Sequence, residues 1–230
     1  MIERAALVAA LSKVRDPELD EPLTDLGFVS ALGEDEGRVT ARLRLPTYFC
    51  APNFAYLMVA DAKTALLSIP GVTEVNVVLE DHFASDEINS GVGANESFRA
   101  TFEGLANDEL GDLRALFNRK AFLVRQEKLC REVLDAGGHP EDLPSLRLAD
   151  LPSSRAAERY LERRAELGLD MSPGAPVVVT ANGTRVAGTR IDEHLRFART
   201  IRISVEGNAG LCRGLLATRY GTPDPEGVTI

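Results

Sequence analysis

Cysteine is scarce in this 230-residue sequence, which holds only Cys50, Cys130 and Cys212. They are far apart, none forms a C-x-x-C pair, and an odd number leaves a disulfide framework incomplete. A zinc ribbon is thereby excluded, and free thiols in a reducing compartment are the expected state. Histidine is also rare: His82, His139 and His194 are the three. None stands in H-E-x-x-H or Glu-x-x-His, so neither that zinc-protease motif nor a ferritin-like di-iron oxidase fits. The G-x-x-x-x-G-K-[ST] loop of the common ATPases is missing too. No apolar run could span a bilayer. The start, Met1-Ile2-Glu3-Arg4, lacks the basic and apolar stretches of a signal peptide, so a cytoplasmic location without membrane contact is expected. The formal charge of −9 repels phosphate backbones and argues against nucleic acid as a partner. Neither an internal repeat nor a low-complexity segment interrupts the chain.

What remains is an ordinary globular composition, 44% hydrophobic and 27% charged, long enough to bury a core unaided. Apolar spacing predicts a helix over residues 1–14, stopped at Asp16-Pro17. A strand over 28–32, a turn over 33–37 and an alternating strand over 39–45 predict a hairpin, with Val39, Ala41, Leu43 and Leu45 facing the core. A helix over 53–68 and a valine-rich strand over 72–79 follow. Residues 81–107 read as irregular, punctuated by Gly91, Gly93 and Gly104. A long helix is predicted over 108–136, lined by Leu110, Leu113, Leu116, Phe117, Val124 and Val133. Another runs from Ser153 or Ser154 to Leu167. Asn182-Gly183 predicts a tight hairpin. Beyond it come a helix over 192–198, a strand over 201–205 and a helix over 211–220. The expected fold class is α+β. A helix–hairpin–helix–strand domain occupies 1–90, a linker 91–107, and a mixed helical and β extension 108–230.

Four places could carry chemistry. Cys50 precedes the helix near Asn53, where unpaired N–H groups favour an anion and hence the thiolate that attacks or binds metal. Asp16-Pro17-Glu18-Leu19 is a capped turn. Glu80-Asp81-His82 with Asp86 joins imidazole to carboxylates, a set that suits iron or zinc; one helical turn could align His82 and Asp86. Cys212 follows the predicted strand and falls in the first turn of the last predicted helix, so the logic of Cys50 extends to it. Against these stand plainer readings: a packed structural cysteine, a structural turn and a solvated acidic loop. Cys130, inside the long helix, reads as a packing residue.

Taken together, Val14-Arg15-Asp16-Pro17-Glu18-Leu19, Leu23 to Val29, the loop Thr47-Tyr48-Phe49-Cys50-Ala51-Pro52 and the Gly71-Val72 strand start resemble a known family. It is the iron–sulfur assembly domain shared by SufT-like and PaaD-like proteins, matched over roughly residues 5–80. In that family one more residue separates the threonine from the cysteine, and proline follows the cysteine directly. Ala51 intervenes here, which alters the loop geometry. The resemblance implies a non-catalytic role: iron or an iron–sulfur cluster is held transiently at Cys50 and passed to a client metalloenzyme. Cys212, His82 and Asp86 are further candidate ligands, and Asp16, Glu18 and Thr47 form the functional loop. The whole-chain pattern also resembles long actinobacterial forms encoded beside soluble di-iron monooxygenases, which implies such an enzyme as client. A homodimer is compatible with this. Two other readings compete, a metal-free chaperone or adaptor for an apo-enzyme and a thiol-dependent enzyme acting through Cys50.

Overall fold

The computed structural model describes residues 2–103 and 110–221 and is α+β, with two compact units. The first comprises residues 1–112 and the chain from 207 onward; the second comprises 113–206.

The first unit begins with α1 (Arg4–Leu11), followed by the hairpin of β1 (Val29–Asp35) and β2 (Arg38–Arg44). Glu36 and Gly37 both take positive φ at its tip, 49° and 84°, as a two-residue turn matched to strand twist requires. A Cβ on Gly37 would sit 2.8 Å from the Gly71 carbonyl oxygen, so glycine is needed there for space as well. Next come α2 (Pro52–Leu67) and β3 (Glu74–Glu80). β2 lies centrally, antiparallel to β1 and parallel to β3, with Arg44 in register with Glu80. Val39, Ala41, Leu43 and Leu45 are all buried, as their alternation predicts. Five consecutive residues of α2, Ala55–Val59, are buried. The cause is that α2 packs on β3 and is flanked by α1 and by α3 (Ser85–Gly93), so no side of this stretch faces water.

In the second unit, α5 (Gly111–Asp135) contributes all but its first two residues and packs with α6 (Arg155–Glu166). Ser154 caps α6 by accepting from the Ala157 N–H at 3.2 Å. Phe122, Leu129, Ala157, Tyr160, Val177 and Val179 make the core. Buried Gln126 donates from its amide to the Val177 and Val179 carbonyls, at 3.1 and 3.0 Å, so the extended valine run has its carbonyls paired without a neighbouring strand. The Asn182-Gly183 turn is present, and Val179 and Arg185 form an isolated bridge rather than a ladder.

Three expectations are corrected. Residues 81–103, the described part of the segment read as irregular over 81–107, are largely ordered: α3 and α4 (Phe98–Thr101) occupy much of them, and Asn89 pairs with both the N–H and the carbonyl of Leu79 on the edge strand β3. Gly104 and the end of the expected linker, with the first residues of the helix predicted from 108, lie outside the described residues. Second, the core-facing stripe of α5 differs from the predicted one. Leu116 is exposed, while Arg125, Gln126 and Glu127 are buried because each finds a polar partner. Third, the predicted helix, strand and helix over 192–220 form one helix, α7 (Ile191–Tyr220). Its buried positions, Ile191, Ala198, Arg202, Ala209 and Leu216, recur at intervals of seven and four, whereas Ile203, in the supposed strand, is 56% exposed.

Candidate functional site

Because β2 and β3 are parallel neighbours, their carboxyl ends emerge side by side, and the loops that follow them are brought together. The loop after β2 carries Thr47, Tyr48, Phe49 and Cys50; the loop after β3 carries His82 and Phe83. Hydrogen bonds join them. The Phe83 N–H donates to the Tyr48 carbonyl at 3.1 Å, and His82 Nε2 lies 2.7 Å from the Cys50 carbonyl oxygen. His82 Nδ1 accepts from the Ala84 N–H at 3.2 Å, which leaves the proton on Nε2 to donate to Cys50. Burial holds the imidazole below its ordinary pKa, in keeping with a neutral ring. His82 is thus 2% exposed with both nitrogens engaged, and it anchors the Cys50 backbone. Asp86 is exposed in the first turn of α3, and His82 precedes that helix, so the two do not share a helical turn.

Cys50 is half-buried, one residue before the N-cap Ala51 of α2, whose first residue is Pro52. Its Sγ lies 3.3 Å from Thr47 Oγ1. The neighbouring rings are exposed: Tyr48 is 47% accessible, Phe49 77% and Phe83 46%. They pack on one another with centroids 5.0 to 6.4 Å apart, forming an aromatic rim beside the cysteine loop.

The other side of the site is built by α7. From residue 207 onward this helix belongs to the first unit, burying Ala209 and Leu216 in its core. Polar contacts hold it at both ends. Asn208 donates to Glu18 at 3.2 Å and Arg213 pairs with Glu21, both in the turn after α1. Arg219 donates to the Leu45 and Asp81 carbonyls, at 3.3 and 2.6 Å, and Tyr220 bonds Asp81 at 3.2 Å. Arg44 and Arg219 each stack on the Tyr220 ring, 5.0 Å from its centroid. Cys212 lies between these anchor points, half-buried, within electrostatic reach of Cys50, Asp16 and Glu18.

Cys212 is therefore mid-helix and not in a first turn. The N–H groups around it are already bonded along α7, so the activation argued for it from sequence does not apply. Its thiol is instead pushed up to about 11, chiefly by burial, with Asp16, Cys50 and Glu18 adding to the effect and Arg213 opposing it. Asp16 is itself buried. Its Oδ1 accepts from the Glu18 and Leu19 N–H groups at 2.8 Å each, yet desolvation raises its pKa to about 6. Cys130 is sealed in the second unit, its thiol pushed up to about 12 by burial.

Cys50, Cys212, Asp16, Glu18 and Thr47 thus share one region of the first unit, with His82 bracing it and Asp86 exposed at the start of α3. Among the described residues, no group of three or more His, Cys, Asp or Glu side chains is disposed to hold a metal ion. Sequence reasoning missed Asn208, Arg213, Arg219, Tyr220 and the aromatic rim. The signal for the first four was the heptad-like spacing of α7, obscured by the alternation of Ile201, Ile203 and Val205. No helix among the described residues is long and apolar enough to cross a membrane.

Residues 4–77 match the family described as iron–sulfur cluster assembly protein. An uncharacterized protein of Methanocaldococcus jannaschii is 31% identical over 90 residues, which is 39% of this chain and 93% of that protein. The family match includes Cys50, Thr47, Asp16 and Glu18; His82, Asp86 and Cys212 fall outside it.

Proposed function

Because the chain belongs to the iron–sulfur cluster assembly protein family, we propose that Cys50 and Cys212 together take up iron or an iron–sulfur cluster and release it to a client metalloenzyme. The observation that supports this is that α7, which from residue 207 onward belongs to the first unit and bonds Glu18 through Asn208, carries Cys212 within electrostatic reach of Cys50, Asp16 and Glu18. Two sulfurs leave coordination positions for a client, or a second copy of this chain, to fill, and a cargo so held exchanges readily. Ionised Asp16 and Glu18 favour a nearby cation by simple attraction. His82 serves as a positioning residue, because its ring nitrogens are occupied in fixing the Cys50 carbonyl. The long extension beyond the matched domain accords with a specialised client, and a di-iron monooxygenase is the one we favour.

Anaerobic reconstitution with ferrous iron and sulfide tests the reading. Wild type is expected to retain iron, Cys50→Ala to lose it, and Cys212→Ala to retain less. Equal retention by wild type and Cys50→Ala removes the carrier role. The aromatic rim favours a second reading, a metal-free adaptor that docks an apo-enzyme through Tyr48, Phe49 and Phe83. Undiminished client co-purification with Cys50→Ala, together with its loss in Phe49→Ala, would select that alternative.

A further inference from the structure

The second unit contains a cleft of about 400 Å³ between α5 and α7, independent of the cysteine site. We propose that this cleft binds a small polyanion bearing phosphate or carboxylate groups. Arg131 of α5 and Arg196, Arg199 and Arg202 of α7 line it, against only two carboxylates, Glu127 and Asp192. This positive excess is local to a chain whose formal charge is −9. The α7 arginines recur every three residues, so they are neighbours on one helical face and repel one another. Only Arg202 is matched: buried in the floor, it pairs with Glu127 at 2.6 Å and with Glu206 at 2.7 Å. Arg196 reaches the Asp192 carbonyl oxygen at 3.3 Å, and no carboxylate among the described residues pairs with Arg131, Arg196 or Arg199. Three guanidinium groups with no carboxylate paired to them thus line one concavity, and each offers a planar fork that fits phosphate or carboxylate.

The volume falls within the range of small-molecule sites, roughly 300–1,000 Å³. Leu134 and Leu195 add apolar wall, which suits a compact anion carrying some organic body. A cleft of one sign also concentrates such ions from solution, most strongly at low salt.

Titration calorimetry on the full chain at low ionic strength, with pyrophosphate, citrate and adenosine diphosphate as separate probes, decides the matter. Saturable binding of at least one is expected. Arg131→Gln/Arg199→Gln is expected to weaken it by roughly tenfold or more. Both side chains are exposed, so the variants keep their fold, which a thermal melt verifies; each single variant is measured as well. Arg38→Gln, which removes an exposed arginine paired with Asp35 in the first unit, is expected to leave binding unchanged. Tighter binding of the nucleotide than of pyrophosphate assigns the site to organic phosphates, and tightest binding of citrate assigns it to polycarboxylates. No saturable binding of any probe below about 1 mM, or undiminished binding in the double variant, overturns the proposal.

Discussion

Replacing Asp16 by asparagine is expected to stabilise the folded chain at neutral pH and to leave its stability unchanged in acid. The Asp16 side chain is 8% exposed, and burial raises its pKa from the ordinary 3.8 to about 6. That difference corresponds to about 3 kcal/mol of unfavourable free energy in the ionised form, an upper bound for the substitution. The direction follows from proton binding. A carboxyl whose folded pKa lies above its unfolded value binds more protons when folded, so stability falls as pH rises from about 4 through 6 and stays lower above that. Asparagine has the shape of the protonated acid and keeps the oxygen that accepts from the Glu18 and Leu19 N–H groups. The gain should therefore be absent below pH 4 and complete by pH 7.5. Urea unfolding followed by circular dichroism, wild type against variant at both pH values, measures it, because pH effects common to the two proteins cancel. A variant that is less stable at pH 7.5, and by as much as at pH 4, would refute the reasoning: the two N–H contacts would then outweigh desolvation. A carboxylate retained at such cost is in character for a site selected for more than stability. The same substitution should lower the Cys212 thiol pKa, since Asp16 is one of the groups that raise it.

Other expectations are as sharp. A Cβ on Gly91 would lie 2.1 Å from Thr101 Oγ1 and 2.6 Å from its Cγ2, so Gly91→Ala should force α3 from α4 and destabilise by about 1–3 kcal/mol in thermal melts; Thr101→Gly in the same chain should restore most of this. Native protein treated with iodoacetamide at pH 8 should be labelled at Cys50 and spared at Cys130, whose pKa is about 12, and His82→Ala should speed Cys50 labelling by freeing its carbonyl. Peptide mapping that finds Cys130 modified as fast as Cys50 would contradict the burial. Arg202→Ala strands buried Glu127 and should cost about 3–5 kcal/mol, whereas Arg202→Met with Glu127→Leu should lose much less. Similar losses in both would show that the pair contributes net stability.

The α+β frame of the first unit was legible because its signals are local. Alternation over Val39–Leu45, the turn at Gly37 and the Pro52 helix start each follow from neighbouring residues, and the observed elements fall within a few positions of those predicted. The α3 region was not legible, because its glycines read as loop while Gly91 is in fact a packing contact with Thr101. In α7 the β-branched residues Ile201, Ile203 and Val205 imitate a strand over a few positions. Propensity of that kind is weak beside a long buried stripe, and the stripe exists only where partner surfaces cover it.

For the candidate site the division is the same. Sequence by itself determined that Cys50 lies in a loop entering a helix, after a half-buried strand, with an acidic turn near the N-terminus. It could not determine that His82 would be buried as a brace or that Cys212, 162 positions along from Cys50, would come within electrostatic reach of it. Those placements depend on the parallel pairing of β2 with β3 and on α7 burying Ala209 and Leu216, contacts between distant segments that no local pattern encodes.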